Sequence, residues 1–127
     1  MNAQQNDFLS AAWIERYRAL WNADAELVRG LEGFSALIEY GWEDGSKPSA
    51  WLRVENGRAV ATAWGDAPGK PDFVMKASAE NWQRLRDGSL SGRAALLTKK
   101  LKFQGSMITA MKYMGPFEKS IALLGRA

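Results

Sequence analysis

Apolar residues recur along this chain first at helical spacing, then at every second position, then at helical spacing again. Between Ser10 and Asn22, the side chains Trp13, Ile14, Tyr17, Leu20 and Trp21 share one stripe of a 3.6-residue period, which predicts an amphipathic helix. Asp24 suits the N-cap of a second, shorter helix carrying Leu27, Val28 and Leu31 and closed by Gly33. From Phe34 the period drops to two. Ala36, Ile38, Tyr40 and Trp42 alternate with Ser35, Leu37 and Glu39, the signature of a strand with one mostly apolar face. A turn over residues 43–49 leads to a second strand, in which Leu52 and Val54 lie opposite Trp51, Arg53 and Glu55. Asn56-Gly57 predicts a two-residue hairpin, because both positions tolerate positive φ. The third strand, RAVATAW, alternates Ala59, Ala61 and Ala63 with Val60, Thr62 and Trp64. An alanine face turned inward would either draw the helices close or leave space.

The loop over residues 65–71 is followed by a fourth strand from Asp72 to Ala77, with Phe73 and Met75 opposite Val74 and Lys76. Ser78 then caps a helix bearing Trp82 and Leu85 and ended by Gly88. Ala94 to Leu97 belong to another short helix, and Lys100–Gln104 to a fifth strand with Leu101 and Phe103 on one face. A last helix is expected from Met107 to Leu124, bent or interrupted at Gly115-Pro116. The order predicts an α+β fold, with helices packed on one face of a sheet, as one domain over residues 1–127. Within it, residues 1–33 form a helical pair, 34–105 the sheet with its inserted helices, and 106–127 the final helix.

Composition narrows the chemistry. The 127 residues contain neither cysteine nor histidine, which removes disulfides, thiol nucleophiles, His/Cys zinc sites and imidazole acid–base catalysis. The absence of cysteine fits a reducing cytoplasm. No apolar run reaches the ~20 residues that cross a bilayer, and the polar start MNAQQNDF lacks the pattern of a signal peptide. The net charge of +3 is unevenly spread: residues 1–71 carry seven basic and ten acidic side chains, residues 72–127 ten and four. Such a basic half is either a solvated face or a surface for an anionic partner such as a membrane or a phosphate-bearing small molecule.

No motif nominates a catalytic group. GDAPGK has the wrong glycine spacing for a phosphate loop, and Pro71 stands where a magnesium-binding hydroxyl would be needed. Glu43-Asp44 read as turn formers. Lys100 and Lys102 alternate with Leu101 and Phe103, so the strand separates the charges from the apolar side chains, and no nucleic-acid platform is expected. Met107, Met111 and Met114 fall at i, i+4 and i+7, continued by Phe117, Ile121 and Leu124. That stripe suits a helix covering a core. It equally suits the adaptable wall of a cavity, since methionine is unbranched and polarizable.

The segment DFVMKASAENWQRLRDGSLSGRAALLTKKLKFQGSMITAMKYM resembles the sterol carrier protein 2 family. Its landmarks are Asp72, Ser78, Trp82, Leu85, Gly88, Ala94 to Leu97, Leu101 to Phe103, Gly105 and Met107 to Met114. The resemblance covers about residues 72–115 and, more weakly, Phe34 to Gly65. It departs at Lys99, where the family usually has glycine, and at Ser106, where Asp or Asn is usual. The N-terminal helical pair looks like that of small free-standing bacterial members. The resemblance implies a five-stranded, antiparallel-rich mixed sheet enclosing an apolar tunnel, with no cofactor and no catalysis. The implied ligand is a fatty acid, an acyl-CoA, a sterol or an isoprenoid lipid, and the implied partners are an anionic membrane surface or enzymes to which a lipid intermediate is presented. On this reading the tunnel is expected to involve Leu52, Val54, Ala61, Phe73, Met75, Trp82, Leu85, Leu97, Leu101, Phe103, Met107, Met111 and Met114, with Met111 at its centre.

Overall fold

A computed structural model describes residues 7–127; the polar start, residues 1–6, lies outside them. Helices α1 (Ala11–Ala23) and α2 (Ala25–Gly30) open the fold. Ser10 accepts a hydrogen bond from the Trp13 amide and Asp24 one from the Leu27 amide, so each helix has a side-chain N-cap. Helix α2 ends before Gly33, which instead takes a left-handed turn at φ +87°.

Strands β1 (Ala36–Trp42), β2 (Ala50–Glu55), β3 (Arg58–Trp64), β4 (Phe73–Ala77) and β5 (Lys102–Gln104) form one sheet in the order β3-β2-β1-β4-β5. The central pair β1–β4 is parallel and the other pairs are antiparallel. Asn56 and Gly57, both at positive φ, make the β2–β3 turn. Helices α3 (Ala79–Arg86) and α4 (Gly92–Leu97) are inserted between β4 and β5. After β5 come α5 (Met107–Lys112), α6 (Met114–Ala122) and a 3-10 turn, Leu123–Arg126.

The period-two pattern decides which side of the sheet is core. Ala36, Ile38 and Tyr40 of β1 lie opposite Val54, Leu52 and Ala50 of β2, and all six are buried beneath the helices. Phe73, Met75 and Ala77 extend this face on β4, while Val74 and Lys76 point the other way. Trp82 of α3 anchors that helix to the sheet by donating from Nε1 to the Gly41 carbonyl at 2.9 Å. On the opposite face, Leu37 is buried beside the connection that runs from β3 to β4: Gly69 packs near Leu37 and Arg53. Trp51 reaches the start of the same connection, its Nε1 donating to the Gly65 carbonyl.

Two local expectations need correction. The alanines of β3 do not share one face. The pairing register shifts between Arg53 and Val54, so Ala59 lies opposite Val54 on the core side while Ala61 and Ala63 lie opposite Arg53 and Trp51. The last helix breaks at Tyr113 rather than at Gly115-Pro116. Pro116 falls in the first turn of α6, where a missing N–H costs no intrahelical bond, so it begins a helix instead of interrupting one.

Candidate functional site

The space left between sheet and helices is a consequence of how α5 and α6 are held. Helix α6 is tied on three sides. The Tyr17 hydroxyl of α1 donates to the Ser120 carbonyl at 2.8 Å. Lys119 Nζ lies 3.1 Å from Glu26 and 3.5 Å from Asp24 at the start of α2, and Arg93 of α4 faces Glu118. Helix α5 has no such ties among the described residues; its one buried side chain is Ala110. Gly105, at φ +140°, sets its approach: a Cβ there would stand 2.4 Å from the Phe73 ring and 2.8 Å from the Asp72 carbonyl.

Beneath α5 and α6 lies a narrow apolar chamber of about 50 Å³, set in about 480 Å³ of atom-free space that includes its solvent-open mouth. The sheet supplies Ile38 and Tyr40 from β1, Phe73 and Met75 from β4, and Phe103 from β5. Trp21, Leu31 and Phe34 close one side; Thr109, Ala110, Tyr113, Pro116, Phe117 and Ser120 form the roof. Seven of these side chains are aromatic and none is charged, so the chamber suits an apolar body and offers no partner to a buried ion. Aromatic pairs knit the wall: Phe73 lies 5.6 Å from Phe103 and 5.8 Å from Phe34, and Phe34 meets the Tyr113 ring edge-on at 5.3 Å.

The polar groups in this wall are mostly spoken for. Trp21 Nε1 donates to the Gly57 carbonyl at 2.9 Å, and Ser120 Oγ to the Phe117 carbonyl at 2.7 Å. The Tyr40 hydroxyl is buried beside that of Tyr17, the group it can pair with. Burial pushes its pKa well above the ordinary value, and the neighbouring Tyr17 pushes it further, so Tyr40 is a neutral phenol. At the outer end the chamber adjoins a polar depression that shares Phe34, Phe73, Thr109 and Tyr113 and adds Ser35, Asp72, Ser106 and Lys112. Asp72 is engaged there: its Oδ2 accepts from the Leu37 amide at 2.8 Å.

Of the side chains expected from the sequence, the structure brings Phe73, Met75 and Phe103 together in the chamber. Leu52, Val54, Trp82, Leu85 and Met114 are buried in the core without lining it. Leu101 and Met107 border a separate groove between α4 and β5 with Leu96, Lys99, Lys102 and Phe103. Ala61 lies in a shallow depression with Trp51, Arg53 and Pro68. Leu97, Met107 and Met111 are 78%, 51% and 61% exposed, and Ile108 beside them 85%. Met111 is thus outside the chamber: α5 turns Ala110 inward and its Met107–Met111 face outward, and the break at Tyr113 separates Met114 from that face. The lining residues absent from that expectation, chiefly Trp21, Ile38, Tyr40, Ala110 and Tyr113, come from three separate parts of the chain. The apolar stripe of the first helix pointed to Trp21 and the apolar face of β1 to Ile38 and Tyr40; nothing pointed to Ala110 or Tyr113.

This geometry defines a class: an α+β binding domain with an uncharged, aromatic-walled chamber between its sheet and its last two helices. The sequence profile of the SCP-2 sterol transfer family matches residues 14–118, and the chain belongs to that family. Its fold is similar to a crystal structure of sterol carrier protein 2, at TM-score 0.83 and 15% identity over 94% of this chain and 98% of the other. It is also similar to a solution structure of a conserved hypothetical protein from Thermus thermophilus, at TM-score 0.75 and 17% identity over 93% and 87%. A UbiJ-SCP2 ubiquinone synthesis protein aligns at TM-score 0.55 and 15% identity over 87% and 90%. No curated protein sequence matches the chain.

Proposed function

We propose that this protein binds a lipid non-catalytically, holding the lipid's apolar body in the chamber and exchanging it at an anionic membrane surface in the cytoplasm. The observation that carries this reading is the uncharged lining of the chamber. Each methylene moved there from water gains about 0.8 kcal/mol, and no ionised wall group has to be desolvated. Membership of the SCP-2 sterol transfer family supports the same class of ligand, whether fatty acid, acyl-CoA, sterol or isoprenoid. The chamber is narrow as it stands, so a long chain enters as α5, the least tethered wall, moves outward. Lys112 and Ser106 in the outer depression suit a polar headgroup left at the mouth.

The membrane part of the proposal rests on charge and exposure together. Met107, Ile108 and Met111 project outward from α5, Leu97 is exposed at the end of α4, and Lys99, Lys100, Lys102 and Lys112 belong to the same stretch of chain. Apolar side chains beside lysines match an anionic bilayer surface. No helix among the described residues is long and apolar enough to cross a membrane.

A second reading, presentation of a lipid intermediate to partner enzymes, is favoured by the similarity to the ubiquinone synthesis protein. Pull-down with the lipid-loaded protein separates it from simple transfer. A carboxylate-based lyase or isomerase has the least support, since no carboxylate lines the chamber. The binding claim is tested by titrating a fluorescent long-chain fatty acid and displacing it with an unlabelled fatty acid, acyl-CoA, sterol and prenyl alcohol. Saturable binding of one probe per chain with displacement by at least one lipid is expected. A folded protein that binds none of them would overturn the reading.

A further inference from the structure

A second hollow lies outside the chamber, between the end of α4, strand β5 and the start of α5. It is a groove of about 400 Å³ bordered by Leu96, Lys99, Leu101, Lys102, Phe103 and Met107, against about 50 Å³ for the chamber. Four of the six side chains are apolar and the other two are cations. The two spaces are separate but share Phe103 as a wall. Exposed apolar side chains flank the groove on both sides: Leu97 follows Leu96 at the end of α4, and Ile108 follows Met107 at the start of α5.

Lys99 is the unusual residue in this wall. It follows Thr98, the C-cap of α4, at φ +60°, the left-handed position that helix ends most often give to glycine because a Cβ is crowded there. Its ammonium forms no ion pair among the described residues. Lys102 lies 3.6 Å from Glu43, so its charge is already answered in part. Lys99 and Lys102 against Glu43 leave the groove a net charge of +1 beside an apolar floor. Backbone strain in a residue that borders a cavity points to a role for its side chain there.

Resting on the membrane part of the reading above, we propose that this groove docks one anionic phospholipid of the bilayer: its phosphodiester sits at Lys99 and Lys102, and the first methylenes of its chain cover Leu101, Phe103 and Met107. The single negative charge of a phosphodiester matches the single uncompensated positive charge of the groove. Lysine suits the task, being a compact charge on a flexible stem that meets a phosphate without a fixed fork geometry. A zwitterionic lipid brings its own ammonium to the phosphate and gains less from Lys99. A phosphate ester without a chain leaves the apolar floor uncovered. Leu97 and Ile108 enter the headgroup boundary on either side of the docked lipid. Docking there turns α5, the least tethered wall of the chamber, toward the bilayer that supplies its ligand.

The test titrates dihexanoyl-phosphatidylglycerol, kept below its micelle concentration, into wild type, Lys99→Gly and Lys70→Ala, and follows backbone-amide NMR shifts. Dihexanoyl-phosphatidylcholine and glycerol phosphate are the comparison ligands. Lys70 is exposed on the connection between β3 and β4, so Lys70→Ala removes the same charge away from the groove. Wild type is expected to show saturable shifts clustered over residues 96–107, with one lipid per chain. Affinity is expected to fall about fivefold in Lys99→Gly, the value of one lysine at an anionic lipid surface, and to stay within about twofold in Lys70→Ala. Glycine suits φ +60°, so Lys99→Gly stays folded. Four results each overturn the docking site and leave the chamber untouched: equal loss in both variants, no loss in Lys99→Gly, shifts confined to the chamber, or either comparison ligand binding as tightly as the phosphatidylglycerol. Wild-type protein that does not partition onto phosphatidylglycerol-containing vesicles removes the membrane reading itself, and the docking site falls with it.

Discussion

Ala110 is the place where the chamber can be blocked from within. It is the one buried side chain of α5 and faces the chamber alongside Thr109 and Tyr113. Ala110→Phe projects a ring into the space a lipid would occupy, taking the room of roughly three to four methylenes. At ~0.8 kcal/mol for each methylene kept out, the loss is about 2.5–3 kcal/mol, or roughly 100-fold in Kd. The chamber is narrow, so the ring fits as α5, which no ion pair ties down among the described residues, shifts outward, at an overpacking cost of ~1–3 kcal/mol. The assay is titration with the fluorescent fatty acid, with thermal melting in parallel. Met111→Ala serves as the control, since that side chain points away from the chamber, and its affinity is expected to stay within about twofold. An Ala110→Phe protein that melts normally and binds the probe as tightly as wild type would refute the location of the site.

Three further outcomes are expected. Lys99 holds φ +60°, a left-handed position that disfavours a side chain, so Lys99→Gly should stabilise by about 0.5–1 kcal/mol, seen as a rise of a few degrees in Tm; a fall would show that the lysine makes a compensating contact. Tyr17 and Tyr40 have pKa values raised chiefly by burial, whereas in the unfolded chain both ionise near ~10. Their contribution to stability is therefore complete below about pH 10 and lost as pH rises toward the folded values, so the tyrosinate absorbance of these two should emerge together with the loss of circular dichroism; absorbance preceding unfolding would count against their burial. Partitioning onto anionic vesicles should weaken between low and moderate salt, where screening shortens to ~8 Å, and should drop for Met107→Ser/Ile108→Ser while probe affinity in solution holds; equal partitioning onto neutral vesicles would remove the membrane part of the proposal.

The sheet was legible in the sequence because the core face of β1, β2 and β4 recurs at every second position. The alternation through Ala36, Ile38 and Tyr40 could be read directly, as could Asn56-Gly57 with its two positive φ angles. The chamber was far less so. It is assembled from α1, β1, β4, β5 and the α5–α6 pair, and no local period encodes which side chains from distant elements meet across a gap. The methionine stripe misled in a specific way. Spacing of i, i+4 and i+7 defines one face only of a continuous helix, and the break at Tyr113 leaves Met107 and Met111 outside while Met114 enters the core. The alanine stripe of β3 failed similarly, since one shift in register moved Ala61 and Ala63 to the other face. Neither a helix break without a glycine or proline at the break itself nor a strand irregularity leaves a mark in the pattern of apolar residues.

Native mass spectrometry of freshly purified protein, followed by extraction and identification of what it carries, tests the central claim most directly. An apolar chamber open to cellular lipids is expected to retain one lipid per chain in wild type and to lose it in Ala110→Phe. A wild-type protein that is folded, carries no lipid and takes up none on incubation with mixed lipid vesicles would contradict the account.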